Sequence, residues 1–194
     1  MWLNRLVICG VLCTSMYGCG YNAIQEHDEA VKAQWSHVLN QYQRRADLIP
    51  NLVRVVKAYA EHEHAVFKEV TEARARLVAP TAVEANNPAS LQKYIASQDR
   101  LKTAVGKLLA VCENYPQLKA DGVFQDLQAQ LEGTENRVTY SRQKYIESIA
   151  EYNILIRQFP SNMTATTMGY KVKPSFTVDN ADSLSKAPTV EFAK

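Results

Sequence analysis

Few side chains in this chain are of types that do chemistry, and their spacing does not favour it. There are four histidines in 194 residues. His62 and His64 flank Glu63, which is the composition of a metal site. On a helix, residues two apart point about 200° from each other, so these rings cannot share an ion. The i, i+4 positions hold no second histidine: His27 faces Val31, His37 faces Gln41, His62 faces Val66 and His64 faces Lys68. No Ser/His/Asp set, Gly-rich phosphate loop or CxxC pair occurs. No metal, cofactor or catalytic residue is therefore expected.

The densest polar run is Arg44-Arg45-Ala46-Asp47-Leu48-Ile49-Pro50-Asn51-Leu52-Val53. Arg44, Arg45, Asp47 and Asn51 are the one set from which a small-ligand or enzymatic site could be assembled. The same residues also suit a helix boundary. Asp47 is a fitting N-cap, Pro50 is cheap within a first turn, and the arginines suit the last turn of a preceding helix. Leu48 and Ile49 would then plug the end of the core. The expected structure is a tight corner between two helices. A single long helix kinked at Pro50 is the alternative, because the apolar stripe runs through nearly in phase.

Cysteine chemistry points to an address. Met1 to Gly18 holds one charge, Arg5, and the apolar run Leu6 to Cys13, which is a secretory signal pattern. The run is short of the roughly 20 apolar residues that span a bilayer. Met16-Tyr17-Gly18-Cys19 is similar to a bacterial lipobox, in which the cysteine is acylated. An ordinary signal peptide or an uncleaved signal anchor remains the alternative. Lipidation at Cys19 leaves Cys112 as the lone cysteine of an exported chain, set among Leu108, Leu109 and Val111 as a buried small hydrophobe. Gly20, rather than aspartate, follows Cys19; in a host with two membranes this pattern sends the chain to the outer one, facing the periplasm.

Composition sets the remaining bounds. The chain has 22 basic and 20 acidic side chains, a balance that gives no support to nucleic-acid binding. Seven glycines among abundant helix formers favour helix throughout. The pattern predicts helices over about 21–45, 48–78, 88–112 and 123–158. Pro80 stops the second, Asn87-Pro88 starts the third, and Asn114-Tyr115-Pro116 with Asp121-Gly122 precedes the fourth. Inward positions include Ile24, Val31, Trp35, Val38 and Tyr42, then Leu91, Ile95, Leu101, Val105 and Leu108. The fourth helix offers Phe124, Leu127, Leu131, Val138, Tyr145, Ile149 and Tyr152. The expected fold is all-α: an antiparallel up-and-down four-helix bundle over 19–158, behind a signal peptide (1–18). An extended C-terminal tail (159–194) follows, with Phe176 and Phe192 as possible anchors. Such a rod is roughly 40 to 50 Å long. In that order Tyr21-Asn22 and Tyr152-Asn153 share the membrane end, while Asp47 and Pro116 lie at the far end.

Tyr21-Asn22, Trp35, the run Arg44 to Val53, Lys57-Ala58-Tyr59-Ala60-Glu61-His62-Glu63, Ala73-Arg74-Ala75, Tyr152-Asn153 and Phe159-Pro160 resemble the LemA family over nearly the whole mature chain. The resemblance implies an antiparallel four-helix bundle behind an N-terminal membrane segment, with no established catalytic activity. It marks Tyr21, Asn22, Arg44, Arg45, Asp47, Leu48, Pro50, Asn51, Tyr152, Asn153 and Pro160 as motif residues. The lipobox-like Cys19 departs from the family's plain transmembrane anchor. The expected role is a membrane-tethered, non-catalytic module for envelope protein partners. The rival is a ligand-binding protein or enzyme with its site at the distal corner.

Overall fold

A computed structural model describes residues 20–77 and 87–174, and no strand occurs among them. The described residues form six helices: α1 (Tyr21–Tyr59), α2 (His64–Ala75), α3 (Pro88–Cys112), α4 (Pro116–Lys119), α5 (Gly122–Leu155) and α6 (Ser161–Met168). The all-α expectation holds, with six elements where four were expected.

The expected corner at Asp47–Pro50 is absent. α1 runs unbroken for 39 residues with Pro50 inside it, about 58 Å at 1.5 Å per residue. An interior proline costs roughly 3 kcal/mol locally. On either side of it Ile49, Leu52 and Val56 bury almost completely, and each such side chain is worth about 1.5–3 kcal/mol. Burial wins, so the stripe stays in phase through Pro50. Asp47 caps nothing; its carboxylate accepts from Gln43 Nε2 at 2.8 Å. The chain instead reverses at residues 60–63, where no glycine or proline signals it. His62 lies in that turn and His64 opens α2, so the two do not share the helix that the spacing argument assumed.

The other starts follow local chemistry. Asn87 caps α3 by accepting from Ala89 N and Ser90 N at 3.1 and 3.3 Å, with Pro88 in the first turn. Asp121 caps α5 by accepting from Val123 N and Phe124 N at 2.8 and 3.0 Å. Gly133 does not interrupt α5.

Contacts set the directions. Tyr59 pairs with Asp121, Arg45 with Glu135 and His27 with Glu151, so α5 descends along α1. Tyr115 just after α3 reaches Glu63, and Lys107 reaches Glu69, so α2 and α3 are opposed. The tip of the rod carries Tyr59 and α4; the base carries Tyr21 and α6. Asp47 therefore sits mid-shaft, not at an end.

Two apolar clusters fill the rod. The tip cluster holds Ile49, Leu52, Val56, Phe67, Leu101, Leu108, Cys112 and Leu118 among others. The base cluster is aromatic: Trp35, Tyr42, Tyr94, Tyr145 and Tyr152, with Ile24, Val38 and Ile149. The expected extended tail is corrected here. Its first part forms α6, whose Ser161, Thr164 and Ala165 are buried at the base. Phe176 and Phe192 lie outside the described residues.

Candidate functional site

Of Arg44, Arg45, Asp47 and Asn51, Arg45 alone is taken inside, with 5% of its surface exposed. It faces inward because α1 presents positions 38, 42, 45, 49 and 52 to the same side. Nη1 donates to Glu135 Oε2 at 3.0 Å. Nη2 donates to the Gln98 carbonyl at 3.0 Å and to Gln98 Oε1 at 2.9 Å. The guanidinium lies 5.2 Å from the Tyr42 ring centre. Lys102 Nζ donates to the other Glu135 oxygen at 2.6 Å. One charged centre thus joins α1, α3 and α5 between the two apolar clusters. Arg45 Nε and the Tyr42 hydroxyl find no protein partner there.

The electrostatics of this centre fix protonation states instead of poising them. Burial raises the Glu135 pKa, but the Lys102 hydrogen bond and the charges of Arg45 and Lys102 outweigh it, so the carboxyl is held below its ordinary value. Burial pushes Tyr94 and Tyr145 up to about 12. Burial also pushes the Cys112 thiol up to about 11, away from thiolate chemistry. None of these groups titrates near neutrality, where a general acid or base works best. The arrangement holds helices together.

The rest of the set does not gather. Arg44, Asp47, Pro50 and Asn51 are exposed along the α1 shaft, and Leu48 is half-buried. Arg45 and Asp47 do not pair: Glu135 takes the first and Gln43 the second. A cleft of about 510 Å³ opens instead between α2 and α3 beside Glu69, Glu72, Arg76, Asp99 and Arg100. Its charges are partly spent internally, Glu69 on Lys107 at 2.6 Å and Glu72 on Arg76 at 3.3 Å. Among the described residues no three His, Cys, Asp or Glu side chains group for a metal, and no helix is long and apolar enough to cross a membrane.

At the base the motif residues split into two kinds. Tyr21 and Asn22 are exposed. Tyr152 is buried, and Lys173 Nζ lies 5.0 Å from its ring centre. Asn153 Nδ2 donates to the Lys173 carbonyl at 3.0 Å, and Lys173 N donates back to Asn153 Oδ1 at 2.9 Å. Lys173 Nζ also pairs with Asp28 at 2.9 Å, and Asp28 with Lys32 at 2.7 Å. Tyr152-Asn153 therefore pins the segment after α6 to the rod. Pro160, half-buried after a cis peptide bond from Phe159, leads into α6. Cys19 lies outside the described residues.

A family model described as the LemA family matches residues 34–192. The chain belongs to the LemA family. This LemA chain is also 24% identical over 169 residues to the magnetosome protein MamQ of Magnetospirillum gryphiswaldense, a match covering 78% of the chain and 62% of that relative. It is 24% identical over 174 residues to the magnetosome proteins MamQ 1 and MamQ 2 of Paramagnetospirillum magneticum, with the same coverage. The chain thus spans less than two thirds of the curated relatives it matches.

The partners of Arg45 in this LemA chain escape sequence reading. Gln98 occupies an inward phase, seven residues from Leu91 and three from Leu101. A polar residue in an apolar phase is the available signal for it. Glu135 sits beside Thr134, which takes the inward position between Leu131 and Val138. Nothing local links either residue to position 45.

Proposed function

We propose that the protein is a membrane-tethered helical rod that presents its surface to envelope protein partners and catalyses no reaction. In this reading α1, α2, α3 and α5 make up the up-and-down antiparallel bundle of the family, with α4 and α6 as additions at tip and base. The N-terminal signal pattern supplies the tether, by acylation of Cys19 or as a retained anchor. In a two-membrane host the acylated form faces the periplasm from the outer membrane. The observation that carries the reading is the use of polar groups. Arg45 and Glu135 are spent on a helix–helix pair and Asn153 and Asp28 on holding Lys173 to the rod, while Arg44, Asp47 and Asn51 stand on an open shaft. Helix bundles that bind ligands instead place facing polar groups around a core cavity.

In vivo crosslinking followed by affinity purification tests the partner claim, and reproducible failure to recover any envelope protein counts against it. Palmitate labelling tests the anchor: Cys19→Ala is expected to abolish labelling and leave unprocessed precursor. Unchanged processing points to an ordinary signal peptide.

A further inference from the structure

Of the large apolar side chains that stand in solvent at the base of the rod, four follow α5. Phe159, Met163, Met168 and Val172 are 71%, 48%, 59% and 59% exposed. They fall in the segment that leaves α5, forms α6 and runs on to Lys173. α6 is anchored by its other side, through Ser161, Thr164 and Ala165, so its methionines are turned out by a fixed helix.

The charge of this segment is one-signed. Between Tyr152 and Pro174 there is no aspartate or glutamate, while Arg157, Lys171 and Lys173 are present. Lys173 turns inward to Asp28; Arg157 and Lys171 are exposed. The acids on the adjoining ends of α1 and α5 are Glu26, Asp28, Glu29 and Glu151; Asp28 is occupied by Lys32 and Lys173, and Glu29 pairs with Lys32. Aromatic and methionine side chains ringed by basic residues suit the boundary between headgroups and acyl chains.

The N-terminal segment meets the rod at the same place. Gly20 holds a φ of +110°, and a Cβ built on it would lie 2.6 Å from Ser161 Oγ and 3.2 Å from Ser161 Cα. The chain therefore enters α1 against the first residue of α6. Cys19 is one residue away, within about 4 Å. The apolar run ends at Cys13, seven residues before Gly20, or at most about 25 Å of extended chain. Either form of anchor holds the bilayer close to α6.

We propose that Phe159, Met163, Met168 and Val172, with Arg157 and Lys171, form a docking surface for an anionic lipid bilayer, so that the base of the rod is seated in the membrane interface. The proposal rests on the tethered reading and adds to it a second contact, made by the folded body itself.

The test places the photocrosslinker p-benzoylphenylalanine at position 159, 163 or 168 of the full chain in phosphatidylglycerol-containing membranes that carry an alkyne-tagged lipid. Position 123, where Val123 is 59% exposed at the start of α5, is the control at the tip. The native side chains at all four positions are exposed, so folding is retained. Lipid adducts are expected at 159, 163 and 168 at ten-fold or more over 123. Arg157→Glu with Lys171→Glu should lower them at least three-fold in phosphatidylglycerol and leave them unchanged in phosphatidylcholine. A chain that fractionates with membranes but gives adducts only at the level of position 123 overturns the docking surface and leaves the tether standing. Adducts to a protein partner or a second copy, or yields indifferent to the charge reversals, also overturn it. A chain absent from the membrane fraction before irradiation overturns the tether and the docking surface together.

Discussion

Arg74 of α2 donates from Nε to the carbonyl of Ala46 at 3.2 Å. Ala46 is the residue four before Pro50, so its carbonyl is the one that the proline leaves without an intrahelical donor. A side chain from the next helix thus repairs the ladder of the first. Pro50→Ala restores the missing backbone donor and relieves the interior proline. It is expected to stabilise the protein by about 1–3 kcal/mol. Arg74→Ala should cost about 1 kcal/mol in the native background and clearly less in the Pro50→Ala background. Urea denaturation of the four proteins of the cycle measures this. Equal costs in both backgrounds would show that Arg74 does not serve the Pro50 gap.

The charged centre predicts a larger effect. Arg45→Ala leaves the Glu135 carboxylate half-buried with only Lys102 beside it, and strands Gln98. Breaking a buried pair from one side costs about 3–5 kcal/mol. Since Glu135 keeps Lys102 and some solvent, the expected loss is at the low end, about 3 kcal/mol. Arg44→Ala, one residue away on the exposed face, should change stability by less than about 0.5 kcal/mol. Chemical denaturation midpoints compare the two.

Acid should loosen the rod through Glu135 and Asp28. Burial raises both pKa values, but the bonds and charges of Lys102 and Arg45, and of Lys32 and Lys173, leave both below their ordinary values. A carboxyl depressed in the folded state stabilises the fold above its unfolded pKa, near 4. That contribution is lost as pH falls through the folded value. Stability should therefore decline below about pH 4.5. Glu135→Gln should be less stable than the native chain at pH 7, and the difference should shrink by pH 3. Unfolding followed across that pH range decides it.

Two changes at the base should be separable. Gly20→Ala forces an alanine to a φ of +110° and into Ser161, which should cost more than about 1 kcal/mol from the backbone strain alone. Asn153→Ala removes both bonds to Lys173. It should free the segment after α6 and speed tryptic cleavage at Lys171, with a global loss of about 1–2 kcal/mol. Proteolysis rates read beside unfolding midpoints distinguish a local release from a general weakening.

What sequence could foretell here was decided by how far each interaction reaches. Asn87-Pro88 and Asp121-Gly122 are legible because a cap acts over two or three residues. The inward stripe of α5 is legible because burial repeats at the helical period. Pro50 is misread for the opposite reason: its local penalty is written in the run, whereas the burial that outweighs it comes from α2, α3 and α5. The reversal at residues 60–63 carries no breaker, and is tied from outside by Tyr115 to Glu63 and Tyr59 to Asp121. Arg45 is visible as a motif residue, but its partners lie 53 and 90 positions away.

The division of the interior into two clusters has an experimental use. Trp35 is the one tryptophan among the described residues, and its ring meets Tyr94 and Tyr145 at 6.0 and 5.1 Å within the base cluster. Cys112 is the one cysteine among them and is buried in the tip cluster. Indole emission therefore follows one half of the rod and thiol labelling the other. A rod that opens as a unit shifts both signals together. One that opens at the Arg45 seam lets a fluorophore and a sulfhydryl, built into the same chain, report different midpoints.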